Sequence, residues 1–276
     1  MPLVFGRSIL GFGVVAGPPA PAWTNPDLTT ASYDSVSLDV SGQDIVPRGI
    51  FFKDDGLKLY LAGDAGNDVN EYNLSTAWDV STATHSQVGS VSTEESSPSG
   101  IFFKPDGTKM YISGFNGDEV NEYDLDPAWD VSTLSHVQNL SVATEELGPT
   151  GLYFKSDGTK MYITGFGGDE INGYTLSTAW DISTASHDGL FSLGNNTNQS
   201  FFNPDGNKVW VLDNQLDDIR EYDLSTAFDV TTMSYSSSNL DVSGQATGGS
   251  GLFIKPDGSK IYVTDVTGRA IYQYSA

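Results

Sequence analysis

Apolar residues along this chain come in short runs, and each run stops at Gly, Asp or Ser. Ile101-Phe-Phe-Lys104 gives way to Pro-Asp-Gly107, and Lys109-Met-Tyr-Ile-Ser113 follows at once. No stretch repeats apolar residues at helical spacing for more than one turn, so the pattern predicts strands and tight turns rather than helices. The run residues are mostly aromatic or β-branched, which suits a pleated and partly buried surface.

The pattern recurs. Gly49-Ile-Phe-Phe-Lys-Asp-Asp-Gly56, Gly100-Ile-Phe-Phe-Lys-Pro-Asp-Gly107, Gly151-Leu-Tyr-Phe-Lys-Ser-Asp-Gly158 and Gly251-Leu-Phe-Ile-Lys-Pro-Asp-Gly258 align, and Phe201-Phe-Asn-Pro-Asp-Gly206 is a shortened fifth copy. The Asp before each turn Gly falls at 55, 106, 157, 205 and 257. Each unit reads as four strands: an apolar inner strand, a Pro-Asp-Gly turn, a second strand, a Gly-rich loop, a third strand, an Ala-Trp-Asp-Val-Ser-Thr loop and an outer strand. Four strands in a unit of roughly 50 residues is the period of a propeller blade.

Ring closure is legible as well. The last unit ends at Tyr274-Ser-Ala276, after its third strand. Residues 32–43 repeat the outer strand of residues 234–245: Leu38-Asp-Val-Ser-Gly-Gln43 matches Leu240-Asp-Val-Ser-Gly-Gln245, and Asp27-Leu-Thr-Thr30 matches Asp229-Val-Thr-Thr232. The expectation is an all-β, five-bladed β-propeller over residues 26–276, its last blade completed by the N-terminal strand. Pairing both ends of the chain in one sheet removes exposed edges.

The repeat wording Phe-Lys-Pro-Asp-Gly-Thr-Lys-Met-Tyr, then Tyr-Asp-Leu, then Ala-Trp-Asp-Val-Ser-Thr, resembles a repeat of marine bacteriophage and marine bacterial proteins. The likeness covers residues 27–276. It implies a tail-fibre or other virion structural protein. More loosely, the strand–Pro-Asp-Gly–strand element is similar to YVTN and lactonase-type propellers, a likeness of architecture that carries no activity by itself.

Charge narrows the partners. With 36 acidic and 13 basic residues the formal charge is −23, which repels phosphate backbones and anionic lipid, so no nucleic-acid partner is expected. No run reaches the ~18 apolar residues of a membrane span. There is no Cys, hence no disulfide or thiolate chemistry.

Residues 1–25 lie outside the repeat: an apolar stretch with one Arg, then Gly17-Pro-Pro-Ala-Pro-Ala22. Two readings are a secretory signal and an arm that packs on the chain's own ring. The preferred one is an arm that docks on other virion proteins through Val4, Phe5, Ile9, Leu10, Phe12 and Trp23. With residues 27–43 pinned as the closing strand, the arm is expected to leave at the outer edge of the shared blade.

Catalysis finds little footing. His85, His136 and His187 occupy one repeat position that Tyr33 and Tyr235 fill in the other two units, so they read as scaffold. No Ser/His or Cys/His pair can be assembled around them. Glu94-Glu95 and Glu145-Glu146 recur in equivalent connections, so no single acid pair stands out. The Trp78, Trp129, Trp180 and Phe228 series reads as a repeated packing position.

Binding is the better class, on the face formed by the second-to-third-strand loops and the connections between units. The candidates there are Asp64, Asp68, Phe115, Asp118, Phe166, Asp169, Asp213, Asp217 and Arg269. Variable loops on a rigid scaffold are where recognition usually resides. Phe115 and Phe166 either stack on a ligand or cap the neighbouring blade. Clustered Asp, Glu and Asn oxygens suit Ca²⁺, although no EF-hand spacing is present, and no other cofactor is expected. The reading is a non-enzymatic virion structural and binding protein meeting a host-surface glycan or protein. The alternatives are a secreted or cell-surface bacterial carbohydrate- or protein-binding module and a lactonase-like hydrolase.

Overall fold

The structure is a computed structural model that describes residues 23–194 and 197–276. Strand β1 (Ser32–Asp39) comes first. Blade one then holds β2 (Pro47–Phe52), β3 (Lys58–Gly63), β4 (Asp68–Leu74) and β5 (Ala83–Ser90). Blade two holds β6 (Pro98–Phe103), β7 (Lys109–Gly114), β8 (Glu119–Asp124) and β9 (Ser135–Ser141). Blade three holds β10 (Pro149–Phe154), β11 (Lys160–Gly165), β12 (Glu170–Leu176) and β13 (Ala185–Ser192). Blade four holds β14 (Thr197–Phe202), β15 (Lys208–Asp213), β16 (Asp218–Leu224) and β17 (Met233–Asp241). Blade five holds β18 (Gly249–Ile254), β19 (Lys260–Asp265) and β20 (Ala270–Ser275), with β1 as its outer strand in the order β1-β20-β19-β18.

The five sheets form a closed five-bladed β-propeller. In the shared blade β1 is antiparallel to β20, with Leu38 opposite Ile271. The same register pairs Tyr33 with Tyr274, Tyr72 with His85, Tyr123 with His136, Tyr174 with His187 and Tyr222 with Tyr235. All three histidines therefore occupy one outer-strand position.

Each Asp-Gly turn needs a left-handed residue. At Gly107 φ is +72°, and a Cβ there would run into the indole of Trp129. Glycine is thus required twice over, by backbone and by space. Trp129 itself sits at φ +67°, held by its N–H donating to the Gly107 carbonyl at 3.0 Å.

Blades are sewn together by the second-strand tyrosines. Tyr60 donates to the Trp129 carbonyl (2.8 Å), Tyr111 to Trp180 (2.6 Å), Tyr162 to Phe228 (2.7 Å) and Tyr262 to Trp78 (2.7 Å). Each bond crosses from one blade to the next, and each contributes about 1 kcal/mol net. The junction between blades four and five departs from this rule. There Trp210 replaces the tyrosine and turns its Nε1 to Glu221 at 3.2 Å.

Trp23 completes that junction. Its ring stacks on Phe201 (6.4 Å, 16°) and meets Trp210 at 5.9 Å. Trp78 on Phe253 (6.3 Å, 22°), Trp129 on Phe51 (6.4 Å, 25°) and Trp180 on Phe102 (6.4 Å, 22°) make the same contact elsewhere. The Thr24 N–H and hydroxyl both donate to the Asp257 carbonyl, at 3.3 and 3.1 Å. Two expectations are thereby corrected. Trp23 belongs to the ring and not to an outward docking arm, and the chain reaches β1 from the axial side of blade five, not from its outer edge. The physical reason is an empty slot: Pro26 stands where the other blades carry Trp78, Trp129, Trp180 or Phe228, and Trp23 fills the space. Val4, Phe5, Ile9, Leu10 and Phe12 lie outside the described residues.

Around the axis, Phe51, Phe102, Tyr153, Phe201 and Phe253 form a closed cycle of edge contacts. Successive centroids are 5.3, 5.4, 5.4, 5.4 and 5.6 Å apart. A cavity of about 370 Å³ follows the axis past this cycle to the Asp-Gly-turn face, where Asp54, Pro105, Ser156, Pro204 and Pro256 line it.

Candidate functional site

The opposite face is built from the second-to-third-strand loops and the connections into each inner strand. Backbone bonds tie the two sets together: Asp64 N–H donates to Val46, Phe115 to Ser97, Phe166 to Gly148 and Val266 to Gly248. In the other direction Val91 donates to Asn67, Val142 to Asp118, Leu193 to Asp169, Val242 to Asp217 and Val40 to Arg269. Among the described residues four of the five connections are thus bonded to the loops of two successive blades, which makes this face rigid.

A buried carboxylate sits at each of these crossings. Asp44 accepts from Val46 N (2.6 Å) and Gly66 N (2.8 Å), and Glu95 from Ser97 N (2.7 Å) and Gly117 N (3.1 Å). Glu146 accepts from Gly167 N at 2.7 Å. In those three blades the facing strand ends in Gly63, Gly114 or Gly165, and a Cβ on any of them would strike the carboxylate. Blades four and five reverse the arrangement. There Asp213 and Asp265 end the strand, and the connection carries Gly194 or Ala246. Asp213 accepts from Gln215 N and Leu216 N, each at 3.0 Å, and Asp265 from Gly248 N at 2.7 Å. One carboxylate fills each crossing, supplied from either of two backbone positions. Sequence comparison of the repeats missed this exchange because the two positions are not aligned with one another.

Burial sets the acidity of this set. It pushes the Glu146 carboxyl up to about 7 against the pull of the Gly167 and Gly168 amides, and it also raises Glu95. Asp68 rises to about 6 through burial and the nearby charge of Asp44.

The remaining candidates divide between turn and surface. Asp118, Asp169, Asp217 and Arg269 close the loops at φ near +50°, a conformation that short polar side chains tolerate better than arginine does. Asp118 also accepts from Gly148 N at 2.7 Å, and Asp64 pairs with Arg48 at 3.1 Å. Among the described residues no group of three or more His, Asp or Glu side chains converges in a way that would hold a metal ion. None of the described helices is long and apolar enough to cross a membrane.

The two phenylalanines differ. Phe115 is half-buried and lies over Gly148, where a Cβ would come within 2.9 Å of its ring. Phe166 is 45% exposed, and its ring meets Phe115 edge-on at 6.4 Å and 65°. Leu147, 59% exposed, lies on the backbone beside Gly167. Together they make an apolar patch between blades two and three; Ile45 and Leu216 are exposed singly elsewhere on the same face. Leu147 was not among the residues the sequence singled out; its serine counterpart at 96 hid it.

No family model matches the sequence, and no curated protein is significantly similar to it. Solved structures do match, at the level of fold. A Bacteroides uniformis protein, proposed by its name to be a 6-phosphogluconolactonase, is 13% identical with a TM-score of 0.51 over 80% of this chain. A Lactobacillus plantarum protein is 14% identical, also with a TM-score of 0.51, over 79% of this chain. The chain spans 64% of the length of each. At such identities the likeness shows the propeller architecture alone.

Proposed function

We propose that this propeller is a non-enzymatic binding and structural component of a bacteriophage particle, and that the apolar patch on its loop face meets the ligand. The observation that carries the binding reading is the Phe115–Phe166 pair with Leu147. Two of its three side chains are largely exposed on a face that hydrogen bonds hold rigid. An exposed aromatic on a rigid scaffold binds with little loss of side-chain freedom, and it suits either a sugar ring or an apolar protein side chain.

What supports the non-catalytic part is how the reactive groups are engaged. His85 and His187 bond Asn70 and Asn172 at 3.1 and 3.0 Å on the outer half of the blades, and the crossing carboxylates accept backbone amides. The particle assignment rests on the resemblance of the repeat wording to marine phage proteins. Two measurements test the proposal. Mass spectrometry of purified particles is expected to find the chain in the virion, and its absence from particles would remove that part. A glycan array and a cell-adsorption assay are expected to show binding that Phe166→Ala reduces at least tenfold. Binding that survives this change would place recognition elsewhere.

A further inference from the structure

The axial cavity opens on the face away from that patch, and its walls have a distinct chemistry. Blade-to-blade rotation in a five-bladed ring turns equivalent planes by about 72° when they stand parallel to the axis. The observed angles of 69°, 70°, 66°, 71° and 73° match this, so the five ring planes stand parallel to the axis. With neighbouring centroids 5.3–5.6 Å apart, a group on the axis sits about 5 Å from every ring, inside the roughly 6 Å reach of a cation–π contact. Phe102, Tyr153 and Phe201 are only partly buried, which leaves ring surface facing the cavity.

The mouth adds one charge. Where other blades place Pro105, Ser156, Pro204 or Pro256, blade one places Asp54. The rim lysines are each matched to the aspartate two residues on: Lys53–Asp55 at 2.7 Å, Lys104–Asp106 at 2.8 Å, Lys155–Asp157 at 2.6 Å and Lys255–Asp257 at 2.6 Å. Among the described residues no hydrogen bond or ion pair occupies the Asp54 carboxylate. Its outer side is exposed to water, while the aromatic wall and the nearby Asp55 hold its carboxyl above the usual range. A formal charge of −23 also concentrates cations around the molecule.

We propose that the axial cavity binds an organic ammonium group, with Phe51, Phe102, Tyr153, Phe201 and Phe253 as the aromatic cage and Asp54 as the counter-charge. The cavity volume of about 370 Å³ accommodates a trimethylammonium head with a short tail, whereas a strongly hydrated Na⁺ would lose its water to rings that cannot replace it.

The test is calorimetric titration of the full chain with choline and with its uncharged isostere 3,3-dimethylbutan-1-ol, at fixed ionic strength. Quenching of Trp23 in the cavity wall gives a second readout. Choline is expected to bind at one saturable site at least tenfold more tightly than the isostere. Asp54→Asn, at an exposed position that leaves the core intact, is expected to weaken choline three- to tenfold and leave the isostere unchanged. Phe102→Leu, checked for folding by circular dichroism, is expected to weaken choline more than fivefold. Equal affinity for both probes, or no binding of either, overturns the proposal. Unchanged choline affinity in Asp54→Asn overturns the role given to that carboxylate.

Discussion

The Asp265 carboxylate accepts the Gly248 amide at 2.7 Å, in the same crossing where Glu146 accepts the Gly167 amide two blades earlier. The two acids come from opposite sides of the crossing, one from a strand end and one from a connection. The fold requires a carboxylate there and is indifferent to which segment brings it.

That indifference is testable by exchange. Glu146→Ala leaves backbone amides without an acceptor, and Gly165→Asp crowds two carboxylates into one site. Each change alone is expected to destabilise by about 2 kcal/mol. The double variant reproduces blade five and is expected to recover most of the loss, a coupling of roughly 1–3 kcal/mol in a denaturation cycle. Simple additivity would refute the exchange.

Stability is expected to peak near pH 5. Glu146, raised to about 7, favours its protonated form in the folded chain, so its contribution is full below the ordinary carboxylate pKa and fades as pH rises through 7. Asp106 and Asp157 work the other way. Hydrogen bonds from Lys104 and Thr108, and from Lys155 and Thr159, outweigh partial burial and hold both at about 2, so their contribution is lost as pH falls toward that value. Thermal unfolding from pH 2 to 9 should show both limbs, and Glu146→Gln should shrink the upper one, to which Asp68 and Glu95 also contribute, and leave the lower one unchanged.

Tyr60, Tyr111, Tyr162 and Tyr262 each join two blades through one hydroxyl. Replacing any of them by Phe is expected to cost about 1 kcal/mol, read as a lower urea midpoint with unchanged slope. Unequal costs would show that the four junctions are not equivalent.

Trp23→Ala removes the aromatic stack from the one junction that lacks a tyrosine bond. Because Trp23 is only half-buried, about 2–3 kcal/mol is expected, or roughly 4–12 °C in Tm. A chain begun at Trp23 should keep this increment, and one begun at Asp27 should lose it. Equal melting of those two chains would show that the stack carries no stability.

Blade number, strand order and closure were all legible, because each is stated several times over by the repeats. Leu38-Asp-Val-Ser-Gly-Gln43, matching Leu240 to Gln245, announced the closing strand, and Asp27-Leu-Thr-Thr30 repeated the message through its match to Asp229. Trp23 was not legible by alignment, since it lies three residues ahead of Pro26, the true counterpart of Trp78. The available cue was the missing aromatic at Pro26. The upright aromatic cycle was hidden for another reason: Phe51, Phe102, Tyr153, Phe201 and Phe253 read as ordinary inner-strand residues until the ring closes around an axis. On the loop face, exposure separated Phe166 from Phe115, and exposure is not written in two matching Gly-rich loops.

The way the chain enters the ring also governs how the molecule bears load. Tension on the N-terminal segment would otherwise peel β1 from β20 one pair at a time, beginning at Ser32 and Ser275. The force must first dislodge Trp23 from Phe201 and break the two bonds from Thr24 to Asp257, at the hub. A tether attached there pulls close to the rotation axis and divides its load between blades four and five, so the closing strand is shielded from being unzipped.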